Sequence, residues 1–117
     1  MKKDFDSNQA REFLQERELR EREARELERT AIFTTAVDTL KDIFRNKNVE
    51  VYLVGSITQP HMFYPNSDID IVLKNFHGDR FDLWAQLENM LKRKIEIILF
   101  ERCHFQDHII KNGYKVI

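Results

Sequence analysis

A single cysteine, Cys103, in 117 residues excludes an internal disulfide framework and a cysteine-cluster zinc site. Glycine and proline are nearly as scarce, at three and two. Neither occurs before Gly55, so no helix breaker interrupts the N-terminal tract. The chain has no run of eighteen apolar residues and no charged-then-apolar leader. Neither a membrane span nor a secretory signal is therefore expected, and the expected location is cytoplasmic. A surplus of positive charge is missing too, with 19 Lys and Arg against 20 Asp and Glu. Domains that grip a nucleic-acid backbone carry such a surplus, so direct nucleic-acid binding is not expected. The length suits one domain, and 42% hydrophobic residues suffice for a modest core.

What is present is charge, unevenly placed. Residues 11–29, REFLQERELREREARELER, hold six Arg and seven Glu among only five apolar residues: Phe13, Leu14, Leu19, Ala24 and Leu27. Such a composition predicts a helix, supported by pairs with acid four residues before base: Glu16–Arg20, Glu18–Arg22 and Glu21–Arg25. Upstream, Asp6 is placed to cap with Gln9 reaching back, and Phe5 to pack on Ala10. Downstream, Phe33, Ala36, Val37, Leu40, Ile43 and Phe44 follow helical three-four spacing and must bury, until Asn46-Lys47-Asn48 ends the helix. One rod from Asp6 to Asn46 is roughly 60 Å long at ~1.5 Å per residue, longer than a small domain is wide. Residues 1–30 are therefore expected to form a projecting, partner-binding arm continuous with the first helix of a domain at 31–117.

Three apolar runs then read as strands: Val49–Val54, ending at Gly55; Ile69–Leu73; and Lys94–Leu99. Helical spacing of Leu83, Leu87, Met90 and Leu91 predicts a helix over Phe81–Leu91, and Phe105–Lys111 a short last one. Helices alternating with strands imply an α/β fold, a small mixed three-stranded sheet covered by helices.

Asp68 and Asp70 flank Ile69 at the start of the second strand. The period of two places both carboxylates on one face, and burying them in an apolar core is costly. Glu96, between Ile95 and Ile97, repeats the pattern on the third strand. Three converging carboxylates suit a hard divalent cation, Mg²⁺ above all, and two such ions can clamp an in-line displacement at phosphorus. Gly55-Ser56 after the first strand offers a turn whose backbone N–H groups can face a phosphate.

Taken in order, Val54-Gly55-Ser56 followed by Asn66-Ser67-Asp68-Ile69-Asp70-Ile71-Val72-Leu73 resembles the signature of the minimal nucleotidyltransferases of the DNA polymerase β superfamily. The resemblance covers about residues 31–117. It implies a nucleotidyltransferase fold in which Asp68 and Asp70 bind two Mg²⁺ ions and Glu96 helps activate the attacking hydroxyl. Gly55 and Ser56 would hold the triphosphate. The implied reaction transfers a nucleoside monophosphate, usually AMP from ATP, to a hydroxyl. Stand-alone members resembling this chain act as antitoxins of HEPN-domain ribonuclease toxins, by binding, by AMP transfer to a toxin tyrosine, or both. A cognate HEPN toxin and a hetero-oligomer are thus the implied partner and state. Two departures stand out: the loop Ile57–Pro65 has neither Gly nor Arg, and the third acid is Glu where Asp is commoner. They leave open an antitoxin that neutralises by binding alone, with a vestigial site. A free-standing transferase acting on a small molecule is disfavoured by the lack of an acceptor domain.

Other residues have plainer explanations. His104 and His108 are four apart beside Cys103 and Asp107, but no third ligand follows at a recognisable spacing, so a solvated helix is expected. Phe81 and Trp84 are expected in the core. Phe63-Tyr64 either stacks on a base or partner, or fills the loop's own small core.

Overall fold

The computed structural model describes residues 7–117, so the cap expected at Asp6 and the staple at Phe5 lie outside the described residues. Helix α1 runs unbroken from Ser7 to Ile43. It makes the molecule elongated, 75 × 29 × 20 Å. The helix stops as expected: Asn46 takes a left-handed φ of 62°. After it come β1 (Glu50–Val54), a 3-10 turn (Gly55–Thr58) and β2 (Ile69–Lys74). The chain continues through α2 (Arg80–Leu91), β3 (Ile95–Leu99), a second 3-10 turn (Phe100–Arg102), α3 (Gln106–Asn112) and β4 (Tyr114–Lys115).

The sheet order is β3-β2-β1-β4, with β1 antiparallel to both neighbours and β2 parallel to β3. The expected mixed α/β sheet is present with one strand more than the expected three. β4 is two residues long, too short for any periodic signal. Gly113 delivers it: a Cβ there would lie 2.6 Å from the Ile109 carbonyl oxygen, so only glycine lets the chain leave α3 and pair with β1.

Strand alternation divides the sheet into two unlike faces. Val51, Leu53, Ile69, Ile71, Leu73, Ile95 and Ile97 pack against Ala36, Val37, Leu40 and Phe44 of α1 and Leu83 and Leu87 of α2. The opposite face carries a smaller core, Tyr52, Val72, Phe100 and Ile109, roofed by α3 and the second 3-10 turn. That roof covers the middle of the face and leaves the end near Gly55 for polar residues. One expectation about α2 fails: Phe81 is 71% exposed and lies beneath Arg80. Trp84 does pack on the core. The helix is started by Asp79, whose carboxylate accepts from the N–H groups of Phe81 and Asp82 at 2.9 and 3.1 Å.

The charged half of α1 is bare along most of its length. Phe13, Leu14, Leu19 and Leu27 are 54–72% exposed. Among the described residues its internal ion pairs are Arg17–Glu21 and Glu26–Arg29, in place of the three acid-before-base pairs expected at spacing four. Arg17–Glu21 is highly exposed and contributes little to stability. Docking starts before residue 30: Arg25, Glu26, Glu28 and Arg29 all touch the folded body.

Candidate active site

The strand register positions the acids. Asp70 of β2 pairs with Glu96 of β3 in the parallel ladder and with Val54 of β1 in the antiparallel one, so all three share a face. Asp68 lies just ahead of β2, near enough for its charge to act on Asp70. Asp68 and Asp70 are half-buried and Glu96 is exposed. Burial first, then the charges of Glu96 and Asp68, push the Asp70 carboxyl up to about 6. The three expected acids thus gather at one end of one sheet face.

Gly55 follows Val54 with φ 78°, the left-handed region. A Cβ there would lie 2.4 Å from Asp70 Oδ2, inside any tolerable contact. Glycine is needed twice over, for the turn and for the approach of the carboxylate. Next to it, the Ser56 hydroxyl makes no hydrogen bond to other described residues, while Thr58 Oγ1 donates to the Gly55 carbonyl at 2.7 Å and stiffens the turn. A cavity of about 340 Å³ opens beside Gly55, lined by Val54, Thr58, Gln59, His108 and Asn112. Through Thr58, Asn112 and Gly113 it adjoins a second of about 480 Å³ that reaches Arg29 and Phe33. Both lie within the ~300–1,000 Å³ range of small-molecule sites.

By donor type alone, three carboxylates suit a hard cation such as Mg²⁺. The trio is all oxygen and anionic, with Asp70 raised by burial first and then by its acidic neighbours, and no cation among the described residues offsets it. Among the described residues no three His, Cys, Asp or Glu side chains come close enough together to hold a metal ion, so the acids do not form a preformed metal site. Open coordination suits an ion that keeps waters and takes oxygens from phosphates. The histidines do not assemble: His108 bonds Asn112, His77 bonds Asn75, and the His61 ring lies 3.9 Å from Glu26.

The sequence reading missed what holds the connecting loop. Arg93, ahead of β3, donates through Nη2 to the Tyr64 and Ser67 carbonyls at 2.8 and 2.9 Å, immediately before Asp68. Its guanidinium also covers the Phe63 ring at 4.3 Å and reaches Glu28 of α1. Phe63 is therefore buried as loop core, while Tyr64 is 45% exposed and carries Arg25 over its ring.

The polymerase beta, nucleotidyltransferase family model matches residues 38–117. The chain belongs to that family. No curated protein sequence matches it significantly. Among solved structures, a toxin–antitoxin complex with AMP-PNP is similar, with TM-score 0.58 and 20% identity over 69% of this chain and 72% of the other. A double Asp-to-Glu mutant of the toxin–antitoxin MntA-HpeT is similar at TM-score 0.56 and 19% identity, over 69% and 71%. The toxin–antitoxin MntA-HepT matches at TM-score 0.50 and 18% identity, over 75% and 71%. At these identities the likeness is one of fold. Among the described residues no helix is long and apolar enough to cross a membrane.

Proposed function

We propose that this nucleotidyltransferase is an antitoxin that transfers AMP from ATP to a hydroxyl, a tyrosine's, on a partner HEPN ribonuclease toxin, and so neutralises it. The observation that carries this reading is the register of Asp70 against Glu96 with the Gly55 turn packed on the Asp70 carboxylate. In this reading the turn is the phosphate-binding element, and beside it stand three candidate metal ligands, of which Glu96 is also the candidate base. In support, the similar structures are toxin–antitoxin complexes, one holding an ATP analogue. The double mutant replaces two aspartates spaced two apart, the spacing of Asp68 and Asp70.

In this reading Asp68, Asp70 and Glu96 would hold two Mg²⁺ ions, which when bound would supply charge neutralisation of the phosphates and of the entering and leaving oxygens. Gly55 and Ser56 receive the triphosphate. Glu96 sits on the far side of Asp70 from Gly55. There it accepts the proton of the incoming hydroxyl as the new oxygen–phosphorus bond forms at the α-phosphate. The bond to pyrophosphate breaks, and pyrophosphate leaves on the Gly55 side. The acceptor hydroxyl belongs to the partner, and the exposed apolar residues of α1 offer that partner a surface.

The second reading, neutralisation by binding alone, draws on the loop Ile57–Pro65, which holds no Arg or Lys to meet phosphate charge. Pyrophosphate release on mixing the chain, its partner, ATP and Mg²⁺ separates the two. Transfer predicts release that is lost in Glu96→Gln. Binding alone predicts none.

A further inference from the structure

The turn that follows β1 is braced from outside as well as from within. The 3-10 segment Gly55–Thr58 is four residues long, and short 3-10 turns have poor hydrogen-bond geometry. Besides the backbone bonds within the 3-10 turn, Thr58 Oγ1 donates to the Gly55 carbonyl and the Gln59 N–H to the Ser56 carbonyl. The Ile57 carbonyl is taken by a distant residue: Arg29 Nη1 donates to it at 2.9 Å from 28 positions earlier. At the far end of the same segment, His61 turns with φ 65° and its N–H donates to Glu26 Oε2 at 2.9 Å.

Glu26 and Arg29 lie about one turn apart on α1 and are locked to each other. Arg29 Nε lies 3.0 Å from both Glu26 carboxylate oxygens, and the two side chains are only 24% and 12% exposed. With its guanidinium divided between Glu26 and the Ile57 carbonyl, Arg29 is committed to holding backbone. We propose that Arg29, oriented by Glu26, is a positioning residue for the phosphate-binding turn, so that the N-terminal helix sets how tightly the donor's polyphosphate is held. This rests on the reading of Gly55–Ser56 as a nucleotide site. A bond between a charged donor and an otherwise unpaired carbonyl is stronger than a neutral one, and backbone dipoles bind anions best when fixed beforehand. Arg93 holds only the later part of the loop, at Phe63, Tyr64 and Ser67, so at Ile57 the side-chain donor is Arg29.

The test compares calorimetric binding of AMP-PNP and of AMP, each with Mg²⁺, to the full chain. The variants are Arg29→Ala, Arg29→Lys and Glu26→Gln, with Arg45→Ala as the control, since Arg45 lies just past the end of α1 and pairs with Asp42 at an exposed site. Arg29→Ala should weaken AMP-PNP about tenfold or more, the loss expected for one charge-assisted bond. AMP, lacking the outer phosphates, should change by no more than about twofold. Arg29→Lys should recover part of the loss, since an ammonium can still donate to the Ile57 carbonyl. If AMP-PNP binding is unchanged, or both ligands weaken equally, the positioning role is overturned. Should Arg29→Ala fail to fold, the same selective weakening is required of Arg29→Lys and Glu26→Gln, and its absence overturns the role. If the unaltered chain binds no AMP-PNP, the nucleotide reading falls and takes this inference with it. If it binds and the variants match it, only this inference falls.

Discussion

The carboxylate of Asp70 lies against the Cα of Gly55, so closely that a methyl group there would sit 2.4 Å from Oδ2. Gly55→Ala would place a side chain in that gap at a φ of 78°. The expected cost is about 2 kcal/mol or more, from the left-handed backbone plus the displacement of Asp70. A thermal melt should show the loss, and nucleotide binding should fall with it. An unchanged melting temperature would mean that the turn relaxes freely and does not brace the acid.

Asp70→Asn should behave in the opposite way on stability. A charge that burial, Glu96 and Asp68 all disfavour is replaced by a neutral group of the same shape. The rise from 3.8 to about 6 corresponds to about 3 kcal/mol without screening. Asp70 is only half-buried, and solvent screening brings the expected gain to about 1 kcal/mol in metal-free buffer. Mg²⁺ should raise the melting temperature of the parent chain and not of this variant, and transfer should be abolished. A destabilised metal-free variant would reveal a structural partner for Asp70.

Glu26 supplies a pH dependence of known sign. Its hydrogen bonds from Arg29 and then from the His61 N–H lower its carboxyl from 4.5 to about 2. The folded state therefore holds the proton less tightly than the unfolded one. The resulting stability is complete above about 4.5 and fades as pH falls toward about 2. Denaturant melts of the parent and Glu26→Gln should differ by a constant amount from pH 7 to 5 and converge by pH 2. A gap that widens in acid would reverse the sign and contradict the pairing.

The acids were legible because each link from sequence to geometry is short. Period-two alternation puts Asp70 and Glu96 on their strands' polar faces, and the parallel register of β2 and β3 then makes them neighbours. Asp79 was equally legible as a helix cap, an Asp directly before a helix, and was overlooked. By contrast, Glu26, Arg29 and Arg93 carried no local signal. Their partners are 26–35 residues away, and the first two sit in a tract, residues 11–29, where thirteen of nineteen residues are Arg or Glu. Phe81 was misjudged because helical spacing sets a stripe, and only tertiary packing decides whether a residue at its margin is covered.

Those same contacts divide the arm, for which we propose a free part ending before Arg25. Deleting residues 1–22 should leave the fold and nucleotide binding intact, whereas deleting 1–29 removes both ends of the grip on residues 57–61. The shorter deletion should still weaken the partner complex, more at low salt than at high, because the lost surface is Arg and Glu around exposed leucines. Partner affinity equal to that of the full chain would make the arm a solvated extension.

Intact-mass measurement of the partner toxin, after incubation with this chain, ATP and Mg²⁺, decides between transfer and occlusion. Transfer predicts that the partner gains one or more AMP units, and that the gain is absent with Asp68→Asn, Asp70→Asn or Glu96→Gln although the complex still forms. A stable complex whose partner mass never changes, with the parent chain as with the variants, would contradict transfer and leave binding as the means of neutralisation.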